Sequence, residues 1–253
     1  MSQPLFIGIE RLRPERTEST NSWLREHLAQ HPLAPEGLVV VTPQQTAGRG
    51  QQGRVWVAEP GHNLTASILL RPRFLEPNQL FYLNKAIALA VRDTLADYLP
   101  EACIKWPNDI YIRSQKVAGI LIESAVGSRV QWVIAGIGVN VNQVGFGPHA
   151  PLAASLASLA KNTFSVEGVL DALCSHLEHR YLQLRAGALA AVNAQYHEHL
   201  MSIGQTFTFR CRGETHSGIL KAVDTNGNLV VELQGKVRTF SVGGIEWLIG
   251  PAS

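Results

Sequence analysis

Cysteine is scarce in this chain, with three among 253 residues: Cys103, Cys174 and Cys211. No two of them form a CxxC pair for zinc, and an odd, scattered set gives no disulfide framework. Buried thiols in a reducing compartment are therefore expected. Charge of one sign is equally lacking. The 22 Lys and Arg against 20 Asp and Glu leave a formal net charge of +2, too little to drive association with nucleic acid. No stretch reaches the roughly 18 uninterrupted apolar residues of a membrane span. The opening Met1-Ser2-Gln3-Pro4-Leu5-Phe6-Ile7 has neither a basic start nor a long apolar run, so no secretory signal is expected and the cytoplasm is the expected location. Internal repeats and low-complexity segments are absent too.

What the chain does contain is 45% hydrophobic and 17% charged residues, the balance of a globular enzyme. The length fits one large domain with a smaller one. Leu38-Val39-Val40-Val41 reads as a strand. Ser19-Thr20-Asn21 before Trp23, Leu24 and Leu28 reads as a helix start. Leu64, Ala66, Ile68 and Leu70 alternate with the period of a half-buried strand. Leu80, Leu83, Ile87, Val91 and Leu95 recur every three or four residues, an amphipathic helix ending near Pro100. Strand-like runs at Ala102–Trp106, Val117–Ser124 and Gln131–Val141 favour antiparallel pairing. Helical blocks follow around Leu170 to Leu184 and Leu189 to Leu200.

After Gly204 the pattern changes to five short strand-like runs split by turns such as Asp224-Thr225-Asn226-Gly227-Asn228, the signature of a small β-barrel. The expectation is an α+β fold: a catalytic domain over 1–203 with a mixed sheet and helices, then a small SH3-like β-domain over 204–253.

Two short blocks carry chemistry. Residues 48–56 read Gly-Arg-Gly-Gln-Gln-Gly-Arg-Val-Trp, and 105–109 read Lys-Trp-Pro-Asn-Asp. The first joins flexible backbone to Arg49 and Arg54, and such a loop can wrap its amides and guanidiniums around an anion. The second sets Asn108 and Asp109 behind a Trp-Pro turn, a place for a metal ion or a nucleotide. Gly48, Gly50 and Gly53 also match the dinucleotide-binding spacing. That reading needs a following helix and an acid about 20 residues on. Here Val55-Trp56-Val57 and Pro60-Gly61 follow, and Arg73 or Phe74 stands where the acid should be, so it fails. A surface turn rich in Gly and Arg is the plain alternative.

With Lys116-Val117-Ala118-Gly119-Ile120-Leu121-Ile122-Glu123 and Gly136-Ile137-Gly138-Val139-Asn140-Val141-Asn142 added, the chain resembles the biotin–protein ligases over about residues 15–250. The blocks run in that family's order, and Val242-Gly243-Gly244-Ile245 stands where its small β-domain ends. Ser19-Thr20-Asn21 comes within the first 25 residues, so the resemblance is to the monofunctional type. The DNA-binding domain of bifunctional members, and DNA binding with it, is not expected.

The resemblance implies a two-step reaction: biotin and ATP give biotinyl-5′-adenylate and pyrophosphate, and the lysine of a biotin carboxyl carrier protein then takes the biotinyl group. It assigns Ser19, Thr20, Asn21 and Gln45 to the biotin ring. Gly48, Arg49, Gly50 and Gln51 fall on a loop closing over biotin and its adenylate. Lys116 is assigned to the biotin carboxylate and the phosphate, and Gly119 and Gly136 to close backbone approach. Arg54, Trp56, Asn108, Lys116 and Asn140 fall on the ATP side, with Asp109 as the Mg²⁺ carboxylate. Lys116, Arg49, Arg54 and Asp109 form the catalytic set, and Trp106 is read as a pocket wall. No histidine clusters with these blocks. Where many family members carry Arg, this chain has Gln51, which can make only a neutral hydrogen bond. Arg49 and Arg54 are then left to meet the phosphate charge. A lipoate–protein ligase, or a biotin-binding regulator without acyl transfer, are the competing readings. A homodimer is left open.

Overall fold

The computed structural model describes residues 4–147 and 150–249, so Met1-Ser2-Gln3 of the N-terminal stretch lie outside the described residues. Seven strands form the larger sheet: β1 (Arg11–Leu12), β2 (Val39–Val41), β3 (Leu64–Leu70), β4 (Cys103–Lys105), β5 (Asp109–Ile112), β6 (Gln115–Val126) and β7 (Val130–Val139). Their order is β1-β2-β3-β7-β6-β5-β4. Only β1 and β2 run parallel; the other pairs are antiparallel. The mixed sheet and the antiparallel pairing expected over 102–141 are both present.

The alternation in β3 is real, but the strand is buried on both faces rather than one. Leu64, Ala66, Ile68 and Leu70 face the main core. On that side pack α2 (Leu80–Ala96), α4 (Val166–Arg185) and α5 (Leu189–Glu198), while the short α3 (Leu156–Ala160), not foreseen from the sequence, follows β7. On the opposite face Leu69 joins Leu24, Leu28, Leu38, Val40 and Ile134 in a second apolar cluster beneath α1 (Thr20–Gln30). Thr65 and Ser67 share that second face and are buried with it. A polar strip inside the fold follows, and it lines the site described below.

The C-terminal runs form β8 (Thr206–Cys211), β9 (Glu214–Val223), β10 (Leu229–Leu233), β11 (Lys236–Phe240) and β12 (Glu246–Leu248). They pair antiparallel in the order β11-β10-β9-β8-β12. This five-stranded sheet is consistent with the SH3-like unit expected, though β11 and β12 do not pair with each other among the described residues, so no closed barrel forms. Phe207, Phe209, Leu220, Leu229 and Val231 join the same core as the larger sheet.

That shared core encloses a lysine. Lys85 of α2 has no exposed surface. Its ammonium donates to Asn193 Oδ1 at 2.7 Å and to the carbonyls of Val223 and Asp224 at 3.4 and 3.3 Å. The rings of Phe81, Tyr82 and Tyr196 each lie 5.4 Å away. One lysine thus ties α2 and α5 to the turn leaving β9. Burial lowers its pKa from 10.5 to about 8, against the opposing pull of Asp224.

Between those two values the unfolded chain holds a proton that the folded chain has released, so this lysine makes stability rise with pH across the window. Lys85→Met leaves three oxygens without their donor but also removes a charge that burial disfavours, so its net effect at neutral pH should be small, within about 1–2 kcal/mol. It should also remove the rise between pH 8 and 10. Urea unfolding at several pH values checks this, and parallel pH profiles for the two proteins would contradict it.

Candidate functional site

Three neighbouring strands present small side chains in register. Gly138 of β7 lies opposite Gly119 of β6 on one side and Thr65 of β3 on the other. Two residues along, Gly136 lies between Leu121 and Ser67. Directly paired residues project to the same face of a sheet, so these rows make a trough on the α1 side. A Cβ at Gly138 or Gly119 would strike the indole of Trp56, and one at Gly136 would strike the amide of Asn21. The glycines make room for side chains that cross the trough.

Above this floor is a cavity of about 140 Å³. Its polar end comes from the start of α1. Ser19 stands at the N-cap with extended backbone, yet its hydroxyl makes no capping hydrogen bond. Thr20 N donates to Gln45 Oε1 at 2.8 Å, and Ser67 Oγ lies 2.7 Å from Thr20 Oγ1 and 2.6 Å from Asn21 Oδ1. Asn21 Nδ2 donates to the Leu121 carbonyl at 3.3 Å. A chain of neutral donors and acceptors is thereby fixed at the buried end, the kind of lining that orients a polar, uncharged ring.

The other end is charged. Lys116 Nζ meets Asp109 Oδ2 at 2.7 Å, and the ammonium lies 5.8 Å from the Trp56 ring centre. The backbone of Lys116 is clamped as well: its N–H donates to Leu152 O and its carbonyl accepts from Ala154 N. Asp109 starts β5, directly across from Lys105. Lys105 lies over the rings of Tyr111 and Trp247 at 5.7 and 5.9 Å. Its pKa is lowered, first by burial and then, against the pull of Asp109, by the cations Lys116 and Arg54. Burial and the charge of Asp109 raise that of Tyr111. A second cavity of about 200 Å³ opens here between the two sheets, and Gln51, Arg54 and Asp109 line both.

The glycine-rich loop is a small hairpin. Gly50 N donates to Arg54 O at 2.7 Å and Trp56 N to Gly48 O at 2.9 Å. Its tip, Gln51–Gly53, is a 3₁₀ turn with Gln52 and Gly53 at positive φ. No helix follows, which is the physical reason the dinucleotide pattern fails here. Gln51 folds inward, its Nε2 donating to Asn108 Oδ1 at 2.7 Å and to Ile120 O at 3.1 Å. Arg49 turns outward to Glu123 at 3.2 Å and Ser22 at 3.4 Å, with Arg25 on the same carboxylate at 3.5 Å.

Of the residues singled out from the sequence, thirteen line the first cavity: Ser19, Thr20, Asn21, Gln45, Arg49, Gly50, Gln51, Arg54, Trp56, Asp109, Lys116, Gly119 and Gly136. Gly48 lies behind it, against Trp56 O. Asn108 is reached through Gln51. Asn140 lines neither cavity. It is buried, and its amide donates to Ala154 O at 3.0 Å, bracing the segment that clamps Lys116. Sequence reasoning missed Thr65, Ser67, Gly138, Lys105 and Glu123. The pleat offered a signal for Gly138, two residues beyond Gly136. Nothing local marked Thr65 or Ser67, whose role follows from the face on which α1 packs.

Comparison with known proteins identifies the family. The Biotin/lipoate A/B protein ligase family matches residues 14–140. A biotin–[acetyl-CoA-carboxylase] ligase of Mycobacterium tuberculosis is 31% identical over 237 residues, which is 91% of this chain and 86% of that protein. The bifunctional ligase/repressor BirA of Bacillus subtilis is 33% identical over 221 residues, 84% of this chain and 67% of that one. A solved structure of the biotin protein ligase of Aquifex aeolicus, in complex with biotin and ATP, has a TM-score of 0.80 at 22% identity and covers 96% of this chain and 100% of that one. At that identity the likeness concerns the fold.

The two bonds of Gln51 are the loop tip's side-chain ties to the sheet. Gln51→Ala should free the tip and expose the bonds after Arg49 and Arg54 to trypsin. Cleavage there should be about fivefold faster or more, the order expected when roughly 1 kcal/mol of local stability is lost. An unchanged rate would show that the hairpin is held by other contacts.

Proposed function

The chain belongs to the biotin/lipoate A/B protein ligase family, and from that premise we propose that it activates biotin with ATP and transfers the biotinyl group to a lysine of a biotin carboxyl carrier protein. The observation that carries this reading is one cavity with a neutral polar end, Ser19 to Asn21 with Gln45, and a cationic end at Lys116 and Arg54. A ureido ring wants the first and a carboxylate meeting a phosphate wants the second.

In the first step a biotin carboxylate oxygen attacks the α-phosphorus, the bond to the bridging oxygen breaks, and pyrophosphate leaves. Two anions must approach, so cations aimed at the shared oxygens lower the barrier. Lys116 is the group placed for this, and its pairing with Asp109 fixes the ammonium's position before substrate arrives. Arg54 faces both cavities, where the departing phosphates would pass. In the second step the neutral acceptor amine attacks the acyl carbon, AMP leaves with the bonding pair, and the amine's proton passes to solvent.

Mg²⁺ is assigned to this site as well. Among the described residues there is no group of three or more His, Cys, Asp or Glu able to cage a metal. The donor set fits an ion that arrives with ATP phosphates and takes one protein carboxylate, Asp109. Such an ion would offset charge on the phosphate oxygens. We also divide the chain at 203/204 into a biotin- and ATP-binding unit and a C-terminal β-unit that contributes to the second cavity. No helix among the described residues is long and apolar enough to cross a membrane.

Incubation with ATP, Mg²⁺, biotin and a carrier domain should add one biotinyl mass to the acceptor lysine, whereas lipoate in place of biotin should add none. Transfer of lipoate but not biotin would overturn the assignment. Lys116→Ala should lower biotin-dependent ATP–pyrophosphate exchange about 100-fold or more, and near-normal exchange would remove Lys116 from the reaction. Asp109→Asn should raise the Mg²⁺ concentration needed for half-maximal exchange. An unchanged requirement would remove Asp109 from the metal.

A further inference from the structure

Trp106 and Pro107, in the turn between β4 and β5, are held by elements that do not line the first cavity. Trp106 is 5% exposed, and its indole Nε1 donates to the carbonyl of Gly227 at 2.9 Å. Tyr196 OH donates to the carbonyl of Pro107 at 2.7 Å. Just before the turn, Ile104 exchanges backbone hydrogen bonds with the end of α5, its N–H to His199 O and its carbonyl from Met201 N.

Gly227 belongs to the turn between β9 and β10, which is built to keep one shape. Asp224 Oδ1 accepts from Asn226 N at 2.9 Å and Asn228 N at 2.8 Å, and Oδ2 accepts from Asn228 Nδ2 at 2.9 Å. Lys85 holds the carbonyls of Val223 and Asp224 from below. Gly227 has φ +89, and a Cβ there would enter the Phe81 ring of α2. A left-handed residue pressed against an aromatic leaves no choice but glycine, and its carbonyl is thereby aimed at Trp106.

Two and three residues after Trp106, Asn108 and Asp109 contact Gln51 and Lys116, which line the first cavity. We propose that the Asp224–Asn228 turn of the C-terminal sheet is a positioning device for adenylation: through the Gly227–Trp106 hydrogen bond it fixes where Asp109, and with it Lys116, stands. Trp106 is then a positioning residue and not merely packing. This rests on the ligase reading above and deepens it, because it gives the C-terminal sheet a role in the first step that requires no contact between this turn and a substrate.

The test uses the full chain with Trp106→Phe, Asp224→Ala and the double variant. Phe keeps the ring and deletes the donor, while Ala loosens the turn that presents the acceptor. Each single variant should lower the kcat of biotin-dependent ATP–pyrophosphate exchange about 10- to 100-fold, the scale of a misplacement near 1 Å. The double variant should lose no more than Trp106→Phe alone, since the two act through one bond. Transfer from chemically supplied biotinyl-5′-adenylate should fall by far less, and biotin affinity should hold. Wild-type exchange in Trp106→Phe, multiplying losses in the double variant, or an equal loss in transfer would each overturn the proposal. An independent readout is hydrogen exchange at the Trp106 indole N–H by NMR. It should be slow in the wild type and fast in Asp224→Ala; fast exchange in the wild type breaks the tether whatever the enzyme does. Absence of wild-type adenylation with a protected indole would instead sink the ligase reading.

Discussion

The five residues Lys105 to Asp109 are the point on which this fold's chemistry turns, because each is held by a different part of the chain. Lys105 sits over Tyr111 and Trp247, Trp106 is bonded to Gly227, and Pro107 to Tyr196. Asn108 meets Gln51 and Asp109 meets Lys116. A short turn has few internal bonds of its own and would wander by ångströms in isolation. Here α5, two sheets and the glycine-rich hairpin converge to stop it. The result is a carboxylate at the first residue of β5 fixed beside an ammonium near the start of β6.

The local charge balance explains why that carboxylate matters. Arg54, Lys105 and Lys116 gather around Asp109, and the lowered pKa of Lys105 registers both its burial and the neighbouring cations. A site with excess positive charge and partial burial is unfavourable when empty of anions, since like charges repel more strongly as water is excluded. Asp109 relieves part of this, and an arriving phosphate relieves more. On the proposed function, the mutual repulsion of these cations favours a polyanionic substrate as much as any single contact does.

Much of this was legible in the sequence and some was not, for reasons that can be named. The helices over 80–96, 166–185 and 189–198 follow from apolar spacing, and the C-terminal strands follow from turn residues. The glycine-rich and Lys-Trp-Pro-Asn-Asp blocks announce themselves because Gly, Arg and Pro constrain backbone and charge locally. β3 was misread as half-buried because periodicity reports the pattern of one face and is silent about what covers the other. Ser67 was invisible since a lone serine in a strand looks like surface until α1 is laid across it. The ties from Trp106 to Gly227 and from Lys85 to Val223 span 121 and 138 residues, and no local rule pairs residues so far apart. Asn140, the motif asparagine expected on the nucleotide side, also braces the 152–154 segment, a contact that no local pattern announces.

The glycine-rich hairpin shows how one neutral residue redistributes the work of its neighbours. With Gln at 51, the tip is tied down by two neutral hydrogen bonds to Asn108 and Ile120. Each is worth about 1 kcal/mol, against roughly 1.5–3 when a charge is involved. Arg49, which the family resemblance places over the ligand, is occupied by Glu123, a carboxylate it shares with Arg25. That pair is half exposed on the arginine side, where ion pairs contribute little, so Arg49 can leave it for a better anion at small cost. Arg54 makes no ion pair among the described residues and faces both cavities. The loop therefore keeps its charge in reserve. Its shape rests on an amide, which on the proposed function leaves both guanidiniums for phosphate, whereas an arginine at 51 would have to serve both ends.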